Sequence, residues 1–238
     1  ASENSEAWRA LDAPSGDLWP WDEHSTYLRR PPFIRTTDEN VGVVLAHPLL
    51  ILGDDMTTDH ISPAGQISRT SAAASYLRER GVPDRDINVF AAYRGNWDVM
   101  VRGLFTNKSA TNMIAPGLSP GHTIHVPNNG VMPLWQAAER YAAEGRATVI
   151  IAGERYGMGS SRDWAAKGAA LLGVKAVLAK SFERIHRANL IGMGIVPILL
   201  QRDIEYCNWS PATTLTIDLA AALARPRSEV LIEVQHPG

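Results

Sequence analysis

One run of residues, 147 to 200, limits the fold of this chain more than any other feature. ATVIIAG is a short apolar stretch, ERYGMGSSR a glycine-rich turn and DWAAKGAALLG a helical pattern of small residues. VKAVLAK, SFERIHRANLIGMG and IVPILL then repeat strand, helix and strand. Short apolar runs bounded by turn residues read as buried strands, and the longer periodic segments between them read as helices. Connections this short leave parallel pairing with right-handed crossovers. The expected fold is α/β, with a mainly parallel β-sheet and flanking helices.

Upstream, VGVVLAHPLLILGDD holds apolar runs broken by Pro48, which predicts short strands that end in a polar loop. SAAASYLRER, residues 71–80, predicts a helix closed by Gly81 and Pro83, and MPLWQAAERYAAEG predicts another that ends at Gly145. The stretch 108–127 is polar and turn-rich. Residues 1–41, with GDLWPWDEHSTYLRRPPF at their centre, show no helical or strand period and read as an extended docking arm or linker. Residues 42–238 are then the main domain. Trp8, Trp19, Trp21, Tyr27 and Phe33 give the arm too much aromatic surface for a solvated tail, so it should lie against its own domain or a partner.

Composition narrows the function classes. A net charge of −2 gives no bulk reason to expect nucleic acid or an anionic membrane as partner. No run approaches the roughly 18 to 20 apolar residues of a membrane span, and the first residues lack a signal-peptide pattern, so the expected location is the cytoplasm. Cys207 is the single cysteine, so this chain alone can build neither an intramolecular disulfide nor an iron-sulfur or cysteine-type zinc site. Ala1 in place of Met suggests a processed chain, a trimmed one or a fragment.

Three constellations could carry chemistry. Gly157, Met158 and Gly159 turn the backbone after the strand 147–152 and deliver Ser160, Ser161 and Arg162 to the start of a helix. Free amides, the positive end of the helix dipole and a guanidinium make that an anion site, though Ser160 with Asp163 also fits a plain capping box. A dinucleotide loop is disfavoured: GMGSSR lacks a third glycine, and the next strand ends at Lys180 where an acidic residue is expected. A hydrolase elbow fails for want of G-x-S-x-G. The second constellation, GDDMTTDHISPAG from Gly53 to Gly65, holds Asp54, Asp55, Asp59 and His60. It could solvate a turn, bind a divalent metal or orient a catalytic group. Third, Arg80 closes the helix 71–80, where a cation also serves the dipole alone, and Arg94 and Arg102 are as ambiguous. His186 reads as a solvated or hydrogen-bonded histidine, and Trp97 and Met100 as packing residues.

Together these stretches resemble the aconitase family. GDDMTTDHISPAG is similar to its Asp-His loop and SYLRERG to its substrate-arginine segment. YGMGSSRDWAAKGAALLGVKAVLAKSFERIHRANLIGMGIVPI is similar to its signature, and the arm resembles the segment leading into the last domain of cytoplasmic and bacterial-type members. The resemblance implies a three-layer swivelling domain that closes over a [4Fe-4S] cluster held by cysteines outside this chain, on domains 1–3 of the same or a separate polypeptide. No metal is expected on this chain alone, which should be inactive by itself. The implied activity is reversible dehydration and hydration of a tricarboxylic acid, as in citrate, cis-aconitate and isocitrate. A 2-methylcitrate or homoaconitate-type dehydratase, or a cluster-free RNA-binding or regulatory role, is the alternative; the lack of a basic stripe counts against RNA. By matched motif Ser160 is the base, with Asp59 and His60 as supporting catalytic residues, and Ser161, Arg162 and Arg80 bind substrate carboxylates. Two departures bear on substrate identity: Ala92-Tyr93-Arg94-Gly95-Asn96 replaces a Ser-Arg-Arg-Gly-Asn run, and Met158 stands where a small residue is usual.

Overall fold

The computed structural model describes residues 6–10, 16–32, 42–126, 129–160, 163–201, 209–225 and 227–236. The chain enters through a helical turn, α1 (Glu6–Arg9), and the arm, then forms the long strand β1 (Val43–Ile51). Short helices α2 (Thr58–Ile61), α3 (Ala72–Glu79) and α4 (Trp97–Val101) follow, then a hairpin of β2 (His122–His125) and β3 (Gly130–Pro133), and helix α5 (Leu134–Ala143). The alternating run comes next: β4 (Ala147–Ala152), α6 (Asp163–Leu171), β5 (Val174–Ala179), α7 (Arg184–Gly192) and β6 (Val196–Leu199). β7 (Thr214–Asp218), α8 (Leu219–Leu223) and β8 (Ile232–Gln235) close the chain.

Six strands make one sheet in the order β6-β5-β4-β1-β7-β8. The neighbours from β6 to β1 run parallel, as expected, whereas β7 and β8 add an antiparallel edge that the sequence did not announce. Alternate residues feed two cores. Ile150, Ala152, Val177 and Ala179 point to one face, where they pack on α5, α6 and α7; Val149, Ile151, Ala176 and Leu178 point to the other, with Ile217 and Leu219. A third cluster joins α3 and α4 to Trp164 of α6. The small residues of α6 let it lie between layers: Ala165, Ala166 and Ala169 enter the first core, while Trp164 fills the third.

Pro48 does not break the strand. β1 runs through it, because the register shifts there: Pro48 faces Val149 of β4 and Leu50 faces Ile150, leaving Leu49 as the extra residue of a bulge. Leu49 and Leu50 consequently enter the same core, which strict alternation would forbid. The missing amide of Pro48 is harmless because β7 pairs only with Val43 to Ala46, so this part of β1 faces no strand on that side.

The open side is completed instead by a buried side chain. Asn112 accepts from the Ile51 and Ile114 amides at 3.0 and 3.2 Å and donates to the Leu49 and His122 carbonyls at 3.3 and 3.1 Å. Thr123 Oγ1 donates a second bond to the Leu49 carbonyl at 2.8 Å.

The arm lies partly on the domain. Tyr27 stacks on the buried Tyr93 at 4.9 Å, Arg29 N donates to the Gly95 carbonyl at 2.8 Å, and Asn96 and Trp97 donate to the carbonyls of Thr26 and Arg30. Leu18 and Trp19 remain 83% and 60% exposed, so it is the later half of the described arm that touches its own domain, with Tyr27 and Leu28 still about half exposed. The side chain of Trp8, all of Phe33 and Cys207 lie outside the described residues.

Replacing Asn112 by Ala strands the Ile51 and Ile114 amides and the His122 carbonyl in the interior, so stability to denaturant should fall by about 2–4 kcal/mol. Equilibrium urea unfolding checks this; a loss below about 0.5 kcal/mol would show that β1 needs no such edge.

Candidate active site

β1 and β4 are neighbours and parallel, so the loops leaving their carboxyl ends start side by side. They stay side by side. Leu52 N donates to the Ile151 carbonyl at 2.8 Å, Gly153 N to that of Gly53 at 3.2 Å and Asp55 N to that of Glu154 at 2.9 Å. Gly157 N then donates to the Met56 carbonyl at 2.7 Å and Thr58 N to that of Met158 at 2.8 Å. Thr58 Oγ1 ends the series by donating to the carbonyl of Ser160 at 3.0 Å. Strand-like pairing is carried past the sheet until it reaches the serine, and the Asp-His loop and the glycine loop become one unit.

Side chains reinforce the unit. Asp54 Oδ1 accepts from Glu154 N at 2.7 Å, and Arg155 grips Asp55 through two nitrogens at 2.5 and 2.8 Å. That hydrogen-bonded pairing holds the Asp55 carboxyl below its usual range. The pair is exposed and screened by water, so the backbone series does most of the holding.

Local sequence explains how the residues are presented. Thr57 caps α2: its hydroxyl accepts from His60 N, and its own amide donates to His60 Nδ1 at 3.2 Å. This is a capping box with histidine in the place usually taken by Glu or Gln. With Nδ1 accepting, a neutral His60 carries its proton on Nε2. Asp59 and His60 border a cavity of about 330 Å³ with Gln66, Phe90, Thr106 and Asn107 also on its wall. Ser160 is exposed at the tip of the glycine loop, three residues before α6 begins at Asp163. Ser161 and Arg162 lie outside the described residues. Arg80 caps the carboxyl end of α3, where its guanidinium lies 4.8 Å from the Tyr76 ring and donates to the Glu23 carbonyl. The structure thus sets the loop of Asp59 and His60 against the loop of Ser160, with Thr58 as the link between them, and sets Arg80 against the arm.

His186 differs from expectation. It is neither solvated nor hydrogen-bonded: it is 1% exposed, and neither ring nitrogen has a partner among the described residues. Its ring lies directly under Gly157, where a Cβ would come within 2.2 Å of it, and Gly157 also has a φ of +86°. The ring packs against the buried Tyr156 at 5.2 Å, and Tyr156 meets Phe182 edge-on. Burial pushes the pKa of His186 down to about 4, because the charged form has no water or partner there. Sequence reasoning missed both this floor and the two threonines. The T-x-x-H spacing from Thr57 to His60 was the available signal for the cap; no local signal marks His186 as buried.

These features define a class: an α/β domain that presents an Asp-His loop and a glycine-serine loop together at the carboxyl ends of adjacent parallel strands. The family model of the aconitase C-terminal domain matches residues 73–203, and the chain belongs to that family. It is 49% identical over 198 residues to aconitate hydratase A of Thermus thermophilus, covering 82% of this chain and 22% of that protein. It is 49% identical over 197 residues to aconitate hydratase A of Pseudomonas aeruginosa, covering 81% and 22%. The chain therefore spans about a fifth of the length of these curated relatives. Among solved structures, a 3-isopropylmalate dehydratase of Methanocaldococcus jannaschii aligns over 82% of this chain and 84% of its own, with 22% identity and a TM-score of 0.40.

A histidine kept neutral by folding makes stability depend on acid. Unfolded His186 takes up a proton as pH falls through 6.5, whereas the folded residue does so only near 4. Its contribution is fully present above 6.5 and is lost on descending to about 4, a change of roughly 3 kcal/mol. Unfolding midpoints followed over that range should therefore fall less steeply for His186→Phe than for the native chain; parallel curves would contradict this.

Proposed function

We propose that this chain is the C-terminal active-site domain of an aconitase-type hydro-lyase, an enzyme that as a whole interconverts tricarboxylates by reversible dehydration and hydration. The observation that carries this is the hydrogen-bonded union of the Ser160 loop with the Asp59-His60 loop, within a chain of the aconitase C-terminal domain family. Ser160 is the base that takes a carbon-bound proton as its alkoxide. Its exposure at the loop tip ahead of α6 supports that role, since amides at the start of a helix favour negative charge. Ser161 and Arg162 hold one substrate carboxylate, Arg80 grips a second, and Asp59 with His60 supports the site from the neighbouring loop.

A [4Fe-4S] cluster, which the family resemblance implies, does not fit on the residues described here. No three of their His, Cys, Asp or Glu side chains come together as a metal-binding group, and one cysteine cannot hold a cubane. We assign the cluster to cysteines on cluster-bearing domains in the part of the relatives that this chain does not span. The partners are then those domains and a tricarboxylate. No helix among the described residues is long and apolar enough to cross a membrane, and the reading places the enzyme in the cytoplasm.

The neighbours Ser160 and Arg162 should fail differently in the complete enzyme. Ser160→Ala removes the proton acceptor and keeps the clamp, so kcat should drop by roughly a hundredfold or more with KM little changed. Arg162→Lys keeps the charge and loses the planar fork, so KM should rise about tenfold or more. Steady-state kinetics on preparations matched for cluster content decide it; near-native turnover by Ser160→Ala would mean that another residue is the base.

A further inference from the structure

Thr58 holds both carbonyls that flank the Gly159–Ser160 step. Its amide donates to the Met158 carbonyl at 2.8 Å and its hydroxyl to the Ser160 carbonyl at 3.0 Å, so one residue grips the glycine loop at two points. The grip is close because residue 159 is glycine. A Cβ there would stand 3.1 Å from Thr58 Oγ1, and the φ of +112° strains any other side chain. Thr58 and Gly159 are thus a matched pair, one on each loop.

The clamp is itself fixed. Thr58 is buried, and its own carbonyl accepts from Ser62 N at 2.9 Å, which ties it into α2. Met56 and Ile61, on either side of it in the chain, belong to the first core. The cap of α2 is made by Thr57 with His60, so the Thr58 hydroxyl is not needed at the helix end and reaches across to the other loop. A β-branched residue suits this place, since its few χ1 rotamers keep the hydroxyl aimed. Ser160, by contrast, is exposed at the loop tip. A buried donor of restricted rotamer on one loop sets the peptide plane that follows an exposed serine on the other.

We infer that Thr58 is a positioning residue for Ser160: its hydroxyl fixes the carbonyl of the serine, and with it the Cα from which Oγ projects. This rests on the reading of Ser160 as the base. Without the bond the Ser160 carbonyl is free to turn to water, and Oγ leaves the place from which it takes the proton. Displacing a group that acts in the transition state lowers kcat and leaves KM little changed.

The test is made in the complete enzyme, on preparations matched for cluster content. Thr58→Val keeps the shape and removes the hydroxyl, and it should lower kcat roughly tenfold to a hundredfold with KM within about threefold. Thr58→Ala, which sets no methyl against the Ser160 carbonyl, should do the same and serves if the valine variant does not fold. Thr58→Ser returns the donor and should bring kcat back to within about threefold of native. Added to Ser160→Ala, Thr58→Val should cost less than about threefold, because the group it positions is already gone. Native kcat in Thr58→Val and Thr58→Ala, while Ser160→Ala is impaired, overturns the positioning role alone. So does a Thr58→Ser variant as slow as Thr58→Val, an equal fractional loss with and without Ser160, or a rise in KM at constant kcat. Near-native kcat in Ser160→Ala overturns both the positioning role and the reading of Ser160 as the base.

Discussion

The parallel contact between β1 and β4 is the interaction on which the remaining structure depends. Within the sheet it is ordinary backbone pairing between two buried strands. Past the sheet it continues, donor by donor, until the hydroxyl of Thr58 meets the carbonyl of Ser160. A loop of polar residues is normally the softest part of a domain. Here amides of each loop donate to carbonyls of the other, Leu52, Asp55 and Thr58 in one direction and Gly153 and Gly157 in the other, so the position of Ser160 relative to Asp59 and His60 follows from the register of the core. Precision at the site comes from an extended sheet and needs no strong surface ion pair.

Other features keep that contact in register. The bulge at Leu49 turns consecutive leucines into the same core, and Asn112 with Thr123 satisfies the backbone that the bulge and the short β7 leave unpaired. Beneath the other loop, His186 serves as a neutral aromatic plate against Gly157, and this contact together with the positive φ requires glycine there. Burying an imidazole without partners opposes folding, and the close packing with Tyr156 offsets that penalty only while the ring stays uncharged. Floor, loops and strands thus form one block, and the arm with Arg80 is set against a separate layer built on α3 and α4.

Much of this was legible in the sequence because its signals are local. The run from Ala147 to Leu200 shows its periods openly, and the glycines at 157 and 159 announce a turn at the end of a strand. What could not be read depends on partners distant in the chain. Pro48 looks like a strand breaker until β7 is known to stop at the residue paired with Ala46. Asn112 sits in a polar, turn-rich stretch and gives no hint that it repairs a strand some 60 residues away. His186 has arginines on either side in sequence, which suggests solvent, yet the helix turns it inward beneath Gly157. The arm was read as a docking segment from its aromatic content; the structure divides it, since Tyr27 is stacked on the domain while Leu18 and Trp19 face solvent. The roles of Ser160, Asp59 and Arg80 come from motif resemblance and are not visible in composition or spacing.

The central claim is that this chain completes a site whose cluster is held elsewhere, and reconstitution tests it most directly. The cluster-bearing domains of the same enzyme, prepared without this chain and loaded with iron and sulfide, should show the cluster's absorbance yet not interconvert citrate and isocitrate. Adding this chain, itself colourless, should restore turnover in proportion to the complex formed. Full activity of the cluster-bearing domains alone, or activity of this chain by itself, would contradict the account.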